Sequence, residues 1–263
     1  SDASPIAEYT HEVVFMKDEE LAVCKKGEPL RIVNLQNDEV EAEVKTVEVA
    51  KPAIIEAKDT ASKVETLSAK DDVTIKGEET KVQNVTVPTE AKENVKLTVN
   101  DAAVEKVTAE KPVTIEATSE NSTIKAVEAK SDVTVQGEAA QIEKIEVPKT
   151  ATKQPVIDVQ AGTVAEVKAD KPAEVKGDGM VTNVEANAEV KVASETVTTI
   201  TVTVQVTVTV TGTQPVEVAV ETTNAVSVVT ENTNVSVSTT LTEEVNVVTK
   251  ATEEAVGTKV AHV

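Results

Sequence analysis

The feature that most constrains this chain is a long internal repeat. Segment 44–57 has the pattern Val-x-x-Val-x-Val-x-Lys-Pro-Ala-x-Ile-x-Ala, and segments 104–117 and 164–177 repeat it with conservative changes, which is a 60-residue spacing. Segments 70–78 and 130–138, which lie between these, correspond to each other at the same spacing. Self-similarity at a fixed period is typical of proteins that stack one structural unit on the next.

Each 60-residue block divides into three units of about 20 residues. In a unit, an apolar-x-x-apolar-x-Val/Ala arm is followed by a short turn and an apolar-x-apolar-x-Gly/Ala arm; one example is formed by Val64, Leu67, Ala69, Val73 and Ile75. Alternation at period two with β-branched residues indicates short strands, not helices. Such arms do not bury their apolar side alone, so the units are predicted to stack with Val above Val, about 4.8 Å apart.

The predicted fold is therefore all-β: a parallel β-helix, or β-solenoid, of about 20 residues per coil, capped at both ends. Gly77, Gly137 and Gly177 end their arms where the chain must turn sharply, which requires a positive φ or a missing side chain. Ten to eleven coils would make a rod on the order of 50 Å long. Disorder, which the acidic composition favours, does not explain the regular spacing. An all-β sandwich does not explain the 60-residue register.

The repeat divides the chain into three regions. We expect residues 1–40 to form an N-terminal cap, residues 41–214 to form regular coils, and residues 215–263 to form less regular coils and a C-terminal cap. The first region holds the chain's one tyrosine, one phenylalanine and one cysteine. The apolar residues elsewhere are mainly Val, Ala and Ile, which suit a thin core without bulky rings. Cys24 has no partner for an intrachain disulfide and is interpreted as a buried thiol.

The repeat pattern of residues 41–214 resembles that of the parallel β-helix segments of bacterial cell-surface and secreted proteins. The resemblance is to an architecture, carried by the repeated apolar pattern and the Lys-Pro and Val-Pro turns. It implies an extracellular or cell-surface location. The hexapeptide pattern of left-handed helices is absent from the sequence, which favours a right-handed solenoid.

The charge of the chain excludes one class of partner. Forty-six acidic residues against 26 basic ones give a formal net charge of -20, and Arg31 is the sole arginine. Because a phosphate backbone is bound by clustered Lys and Arg, we expect no nucleic-acid binding. No apolar stretch reaches transmembrane length, so no membrane insertion is expected either.

The sharpest candidate for catalysis is the carboxylate pair Asp71-Asp72, because polysaccharide hydrolases on parallel β-helices use clustered aspartates. Asp72 aligns with Asp132 in the next block, which indicates a structural turn role through an Asx-type hydrogen bond. Asp71 aligns with Ser131, so the pair is not repeated. Polysaccharide lyases of this architecture use Arg or Lys as the catalytic base. The sole arginine of this chain, Arg31, lies outside the repeat. The structural interpretation is favoured, and no catalytic residue is assigned.

The sequence gives little support for a metal site or for a site that depends on histidine. Acidic turns could offer oxygen ligands to calcium, but the glycine-aspartate nonapeptide of calcium-loaded β-rolls is absent, and Gly177-Asp178-Gly179 is a lone match. His11 and His262 stand at opposite ends of the chain. We therefore expect no cofactor, with calcium as the alternative.

Threonines also align in the repeat. Thr74, Thr114 and Thr134 correspond, as in the Thr rows of ice-binding solenoids, but each is followed two residues later by a charged or amide side chain. Threonine as an exposed strand former is the favoured interpretation.

The expected function is a non-enzymatic structural or adhesive scaffold at a bacterial surface. A rigid acidic rod of this kind would space or present a binding surface to a protein or glycan. A carbohydrate-binding or polysaccharide-degrading β-helix protein is the alternative. No aromatic platform or catalytic pair supports it between residues 41 and 214.

Overall fold

A computed structural model describes residues 20–23, 31–34, 43–57, 63–78, 80–230, 232, 234–242, 245–250 and 255–260. Over these residues the protein is an all-β parallel solenoid whose coils are about 20 residues apart, as predicted. The described part of the chain contains no helix long and apolar enough to cross a membrane.

The strands are short, as the β-branched arms predict. They are β1 (Glu20–Val23), β2 (Arg31–Asn34), β3 (Glu43–Val49), β4 (Ala53–Glu56), β5 (Lys63–Ala69), β6 (Val73–Lys76), β7 (Lys81–Val87), β8 (Val95–Asn100), β9 (Ala103–Ala109), β10 (Val113–Ala117), β11 (Thr123–Ala129), β12 (Val133–Gln136), β13 (Gln141–Val147), β14 (Val156–Val159), β15 (Thr163–Ala169), β16 (Ala173–Lys176), β17 (Met180–Ala186), β18 (Val190–Val192), β19 (Thr199–Val202), β20 (Thr207–Val210), β21 (Val216–Val220), β22 (Val226–Thr230), β23 (Val235–Ser238), β24 (Val245–Lys250) and β25 (Ala255–Val260).

Each coil contributes one strand to each of two sheets. Sheet 1 consists of the odd-numbered strands from β3 to β23, and sheet 2 consists of the even-numbered strands from β4 to β24, with β25 at its end. Neighbouring strands within each sheet are parallel, except that β25 runs antiparallel to β24. We call the turns that follow sheet 1 strands edge A, and those that follow sheet 2 strands edge B.

Sheet 1 explains the 60-residue period. Val44 pairs with Val64, Val64 with Val82, and Val82 with Val104, so the second step is shorter than the first and the third is longer. Coils of three different lengths therefore return to the same point of the sequence pattern after each block. The unequal lengths are absorbed in the turns, which leaves the stacked core unchanged.

Sheet 2 follows a different register. Val73 pairs with Leu97, Leu97 with Ile115, and Ile115 with Val135. The sequence equivalent of Val73 is Val133, so sheet 2 slides by two residues per block while sheet 1 does not. A slide of two residues keeps every apolar side chain on the inner face, because side chains alternate with period two.

The interior is a continuous column of small aliphatic side chains. Fully buried examples are Leu67, Ile75, Leu97, Ile115 and Ile145, and they alternate with Val and Ala. A core that is closely packed with small aliphatic side chains has no need of a large ring, and residues 41–263 contain none.

Buried hydroxyls connect successive coils at edge B. Thr80 Oγ1 donates to the Lys76 carbonyl at 2.6 Å and accepts the Ala57 N–H at 2.8 Å. Ser122 Oγ donates to the Val99 carbonyl at 3.0 Å and accepts the Asp101 N–H at 3.1 Å. The Ala57 and Asp101 N–H groups thereby gain an acceptor, while the Val99 carbonyl also accepts the Thr118 N–H at 3.0 Å.

The glycine prediction is confirmed. Gly77, Gly137 and Gly177 have φ values of 100°, 86° and 104°, which lie in the region that side-chain-bearing residues rarely adopt. A Cβ on Gly137 would stand 2.2 Å from the Ala117 carbonyl oxygen of the preceding coil.

The two ends contain antiparallel pairs. Strands β1 and β2 pair with each other, in the region expected to form the N-terminal cap. Parallel pairing continues beyond residue 214 to β24, where β25 folds back. The roles of these ends as caps, and the hand of the solenoid, stay predictions. Cys24, His11 and His262 lie outside the described residues.

Candidate functional site

The Asp71-Asp72 pair is bound by one lysine of the next coil. Lys92 Nζ lies 2.9 Å from Asp71 Oδ1 and 2.7 Å from Asp72 Oδ2. Asp72 Oδ1 accepts the Lys96 backbone N–H at 2.6 Å, and Asp71 Oδ1 accepts the Asp72 N–H at 2.8 Å. Both carboxylates thus tie one coil to the following one.

The electrostatics of Asp71 do not favour its use as a general acid. The hydrogen bond from Lys92, followed by the one from the Asp72 N–H, holds the pKa of Asp71 below its ordinary value. Hydrogen bonds to Asp72 and Asp71 raise the pKa of Lys92 above its ordinary value. A general acid near neutral pH requires a carboxyl pKa shifted upward, and that of Asp71 is shifted downward.

Asp132 repeats the backbone contact of Asp72. Its Oδ1 accepts the Val156 N–H at 2.9 Å, and Val156 is the equivalent of Lys96 in the next block, as Asp132 is of Asp72. The structural role expected of this position is present, but the Asx-type turn is wrong, because the donor lies at the next sheet 2 strand. Ser131, at the position of Asp71, is buried and supplies no second carboxylate.

In the part of the chain that the structure describes, no three carboxylate, imidazole or thiol side chains are grouped closely enough to hold a metal ion. Asp178 of the lone Gly-Asp-Gly match is exposed in the edge B turn at 177–179. The expectation that the protein takes no cofactor, with calcium as the alternative, stays a prediction.

The sequence alignment of Thr74, Thr114 and Thr134 predicts one row of threonines, and this prediction is wrong for Thr74. Thr114 pairs with Thr134, but Thr74 pairs with Thr98, which pairs with Glu116. The slide of sheet 2 moves Thr74 out of the row, so the rows on this face are mixed in chemistry.

Ion pairs run along the long axis of the solenoid. Most pairs join residues of successive coils, as in Lys106–Glu128 at 2.6 Å and Lys168–Glu185 at 2.8 Å. Further described pairs of this kind are Lys70–Glu48, Lys70–Glu90, Lys76–Glu56, Lys96–Glu116, Lys125–Glu105, Lys130–Glu110, Lys144–Glu166, Lys176–Asp158 and Lys191–Glu174. Because these side chains are partly exposed, each pair by itself adds little to stability.

The acidic pair lies beside a small groove whose charged groups are already engaged. The groove has a volume of about 360 Å³ and is lined by Ile54, Asp72, Thr74 and Lys96, among others. Asp72 is bound by Lys92 and the Lys96 backbone, and Lys96 Nζ pairs with Glu116 at 2.9 Å. These charges would have to break existing contacts before they could bind a ligand.

A larger groove of about 530 Å³ lies farther along edge A. Its floor is an outward row of one residue per coil: Thr207 pairs with Ser227, and Ser227 pairs with Val248. Glu189 continues the row, since the next residue, Val190, pairs with Val208. We call this the axial groove.

Turns of increasing length form one wall of the axial groove. The edge A turns at 187–189, 203–206 and 221–225 contain three, four and five residues. The wall is held at one end by Asn187, whose Nδ2 donates to Asp170 Oδ1 at 2.8 Å and to Glu185 Oε1 at 2.9 Å.

The polar groups of this groove differ from those beside Asp72. The side chains of Glu189, Gln205, Thr207 and Ser227 make no hydrogen bond or ion pair to another described residue. Sequence reasoning missed this site, because the row combines residues from coils of unequal length. The one available signal was the lengthening of the turns after residue 186.

Comparisons with known proteins assign no family. No family model and no solved structure matches the chain. A 49-residue stretch is 51% identical to the glutamine–fructose-6-phosphate aminotransferase [isomerizing] of Bacteroides thetaiotaomicron, which is 19% of this chain. The match spans 8% of the length of that enzyme.

Proposed function

We propose that the protein is a non-enzymatic scaffold at a bacterial cell surface or outside the cell. It acts there as a stiff acidic rod that spaces or presents a binding surface to a protein or glycan partner. Neither nucleic acid nor the interior of a membrane is a partner. A net charge of -20 repels phosphate backbones.

The observation that carries the proposal is how the charged side chains are used. Lys92 binds both members of the candidate catalytic pair, and the pKa of Asp71 is lowered by that contact. Lysines of other coils likewise pair with carboxylates of a neighbouring coil, as in Lys168–Glu185. Charges arranged in this way reinforce a stack of coils and leave the acidic excess facing solvent, where it keeps rods apart.

A cleavage assay separates the scaffold from a polysaccharide-degrading enzyme. The full chain is incubated with a panel of bacterial and plant polysaccharides, with and without calcium, and released reducing ends are measured. No release is expected. Release that is abolished in D71N/D72N but retained in the matched control D132N would overturn the proposal.

A second assay tests the location. Intact cells of the organism that encodes the chain are treated with a protease, and the protein is followed with an antibody. Degradation in intact cells is expected. Protection in intact cells with degradation after lysis would overturn a surface location.

A further inference from the structure

The axial groove runs parallel to the solenoid axis. Its floor row of Glu189, Thr207, Ser227 and Val248 advances by one coil per residue, so outward side chains recur about every 4.8 Å. Gln205 lines the same groove from the edge A turn of its coil. A ligand that fits must be extended and must repeat its own polar groups at a similar interval.

The chemistry of the groove selects against charged anions. Residues 192–249 contain no Lys, Arg or His, and Lys191, just before them, pairs with Glu174 at 2.8 Å. The charged group on the floor is the Glu189 carboxylate. The remaining unpartnered groups are two hydroxyls and one amide, and each both donates and accepts hydrogen bonds. Sugar hydroxyls likewise donate and accept, whereas phosphate, sulfate and uronate groups would face the like charge of Glu189, and the described residues that line the groove include no lysine, arginine or histidine.

The backbone of the floor is unavailable to a peptide. Strands β18, β20, β22 and β24 are each hydrogen-bonded to a neighbour on both sides. A peptide strand therefore has no free edge here to which it could add. Recognition must go through the side chains of the row and the wall.

We infer that the axial groove binds a neutral, extended polysaccharide chain, with one sugar residue per coil. The length of one sugar unit in an extended β-linked chain is close to the rise of one coil. The floor spans four coils, so four units fill the site. The inference rests on the proposed function, because it names the ligand class that the scaffold presents or adheres to.

Length dependence is the signature of this geometry. Each added sugar unit that gains one net hydrogen bond should strengthen binding roughly 2- to 10-fold. We expect affinity to rise at each step from the single sugar to the trimer, whose units meet Glu189, Thr207 and Ser227. The gain at the tetramer should be smaller, because its fourth unit meets the apolar Val248, and affinity should then level off. Val206 and Ala225 lie in the groove beside the polar row and provide apolar contact for the faces of the sugar rings.

The test is a titration of the full chain with neutral β-linked gluco-, xylo- and manno-oligosaccharides, from single sugars to hexamers, followed by NMR chemical shifts. T207V and Q205A should each weaken tetramer binding roughly 2- to 10-fold. T134V is the matched control, because Thr134 is an outward strand residue of sheet 2 on a coil outside the groove, and it should bind normally.

Three results would overturn the inference: no binding at any length, affinity that does not depend on length, or equal weakening by T134V. An acidic oligosaccharide and a basic peptide are titrated in parallel, and stronger binding of either one at the same residues would also overturn the inference. The cleavage and location assays distinguish this failure from that of the proposed function. A surface protein that releases no reducing ends and binds no neutral glycan would lose the inference alone.

Discussion

Two glycines at the same position of the repeat allow the cost of backbone strain at positive φ to be separated from the cost of a steric clash. Gly77 and Gly137 are equivalent residues of successive blocks and have φ values of 100° and 86°. A Cβ on Gly77 would meet Thr80 Oγ1 at 3.3 Å, so this side-chain atom would have to shift by a few tenths of an ångström. A Cβ on Gly137 would stand 2.2 Å from the Ala117 carbonyl oxygen, which is part of the backbone. Alanine therefore brings the same strain to both sites and a backbone clash to one.

The expected losses follow from these distances. A residue with a side chain in a left-handed conformation costs about 1–2 kcal/mol, and we expect Gly77→Ala to lower the free energy of unfolding by this amount. Overpacking adds roughly 1–3 kcal/mol, so Gly137→Ala should lower it by about 2–5 kcal/mol in total. The extra cost arises because the Ala117 carbonyl, and with it the preceding coil, must move.

The measurement is urea denaturation followed by far-ultraviolet circular dichroism, since the chain contains no tryptophan. Amide hydrogen exchange should show the added opening near residues 117 and 137, because each coil contacts only its neighbours. Equal losses for the two variants would refute the reasoning, and a larger loss for Gly77→Ala would refute it more strongly.

Three further predictions test the contacts between coils. Ser122→Ala removes a buried hydroxyl that serves two backbone groups, so it should lower the free energy of unfolding by about 1–3 kcal/mol, and no change in urea denaturation would contradict its role. Leu97→Ala empties a fully buried site and should cost about 2–5 kcal/mol in the same assay. The control Ile54→Ala, at a side chain that is 64% exposed, should cost less than about 0.5 kcal/mol. Equal losses for Leu97→Ala and Ile54→Ala would contradict the burial of Leu97. The hydrogen bond from Lys106 holds the pKa of Glu128 below its ordinary value, so its contribution is present above about pH 4.3 and is lost as pH falls through the lowered pKa. Lys106→Met should therefore weaken the acid dependence of stability, and an unchanged pH profile would contradict the pairing.

The solenoid was predictable from the sequence because its signal is one-dimensional. Strand positions, inner faces and sharp turns all follow from a pattern of alternation that recurs from block to block. The positive φ of Gly137 was predictable because this glycine ends an apolar arm, where the chain must turn sharply. The role of Asp72 was predictable in kind, as a structural acceptor, but its donor was not, because Lys96 is distant in sequence.

The axial groove was not predictable in this way. Thr207 and Ser227 are ordinary exposed strand residues in the sequence, and nothing local connects them with Glu189. They form one row because sheet 2 has a particular register on those coils, and they line a groove because the adjacent turns lengthen.

The sequence alone thus determined that the chain stacks into β-coils, which residues face inward and where the turns fall, because these depend on period-two alternation within single arms. The tertiary structure decided which outward side chains share a row. Sheet 1 keeps the 60-residue register while sheet 2 slides by two residues per block, as the pairing of Val73 with Leu97 and the later pairing of Ile115 with Val135 record. The inner face tolerates this slide because every second residue is apolar. The outer face carries no such repeat, so the surface on which recognition depends is set by the register of whole strands and by the lengths of distant turns.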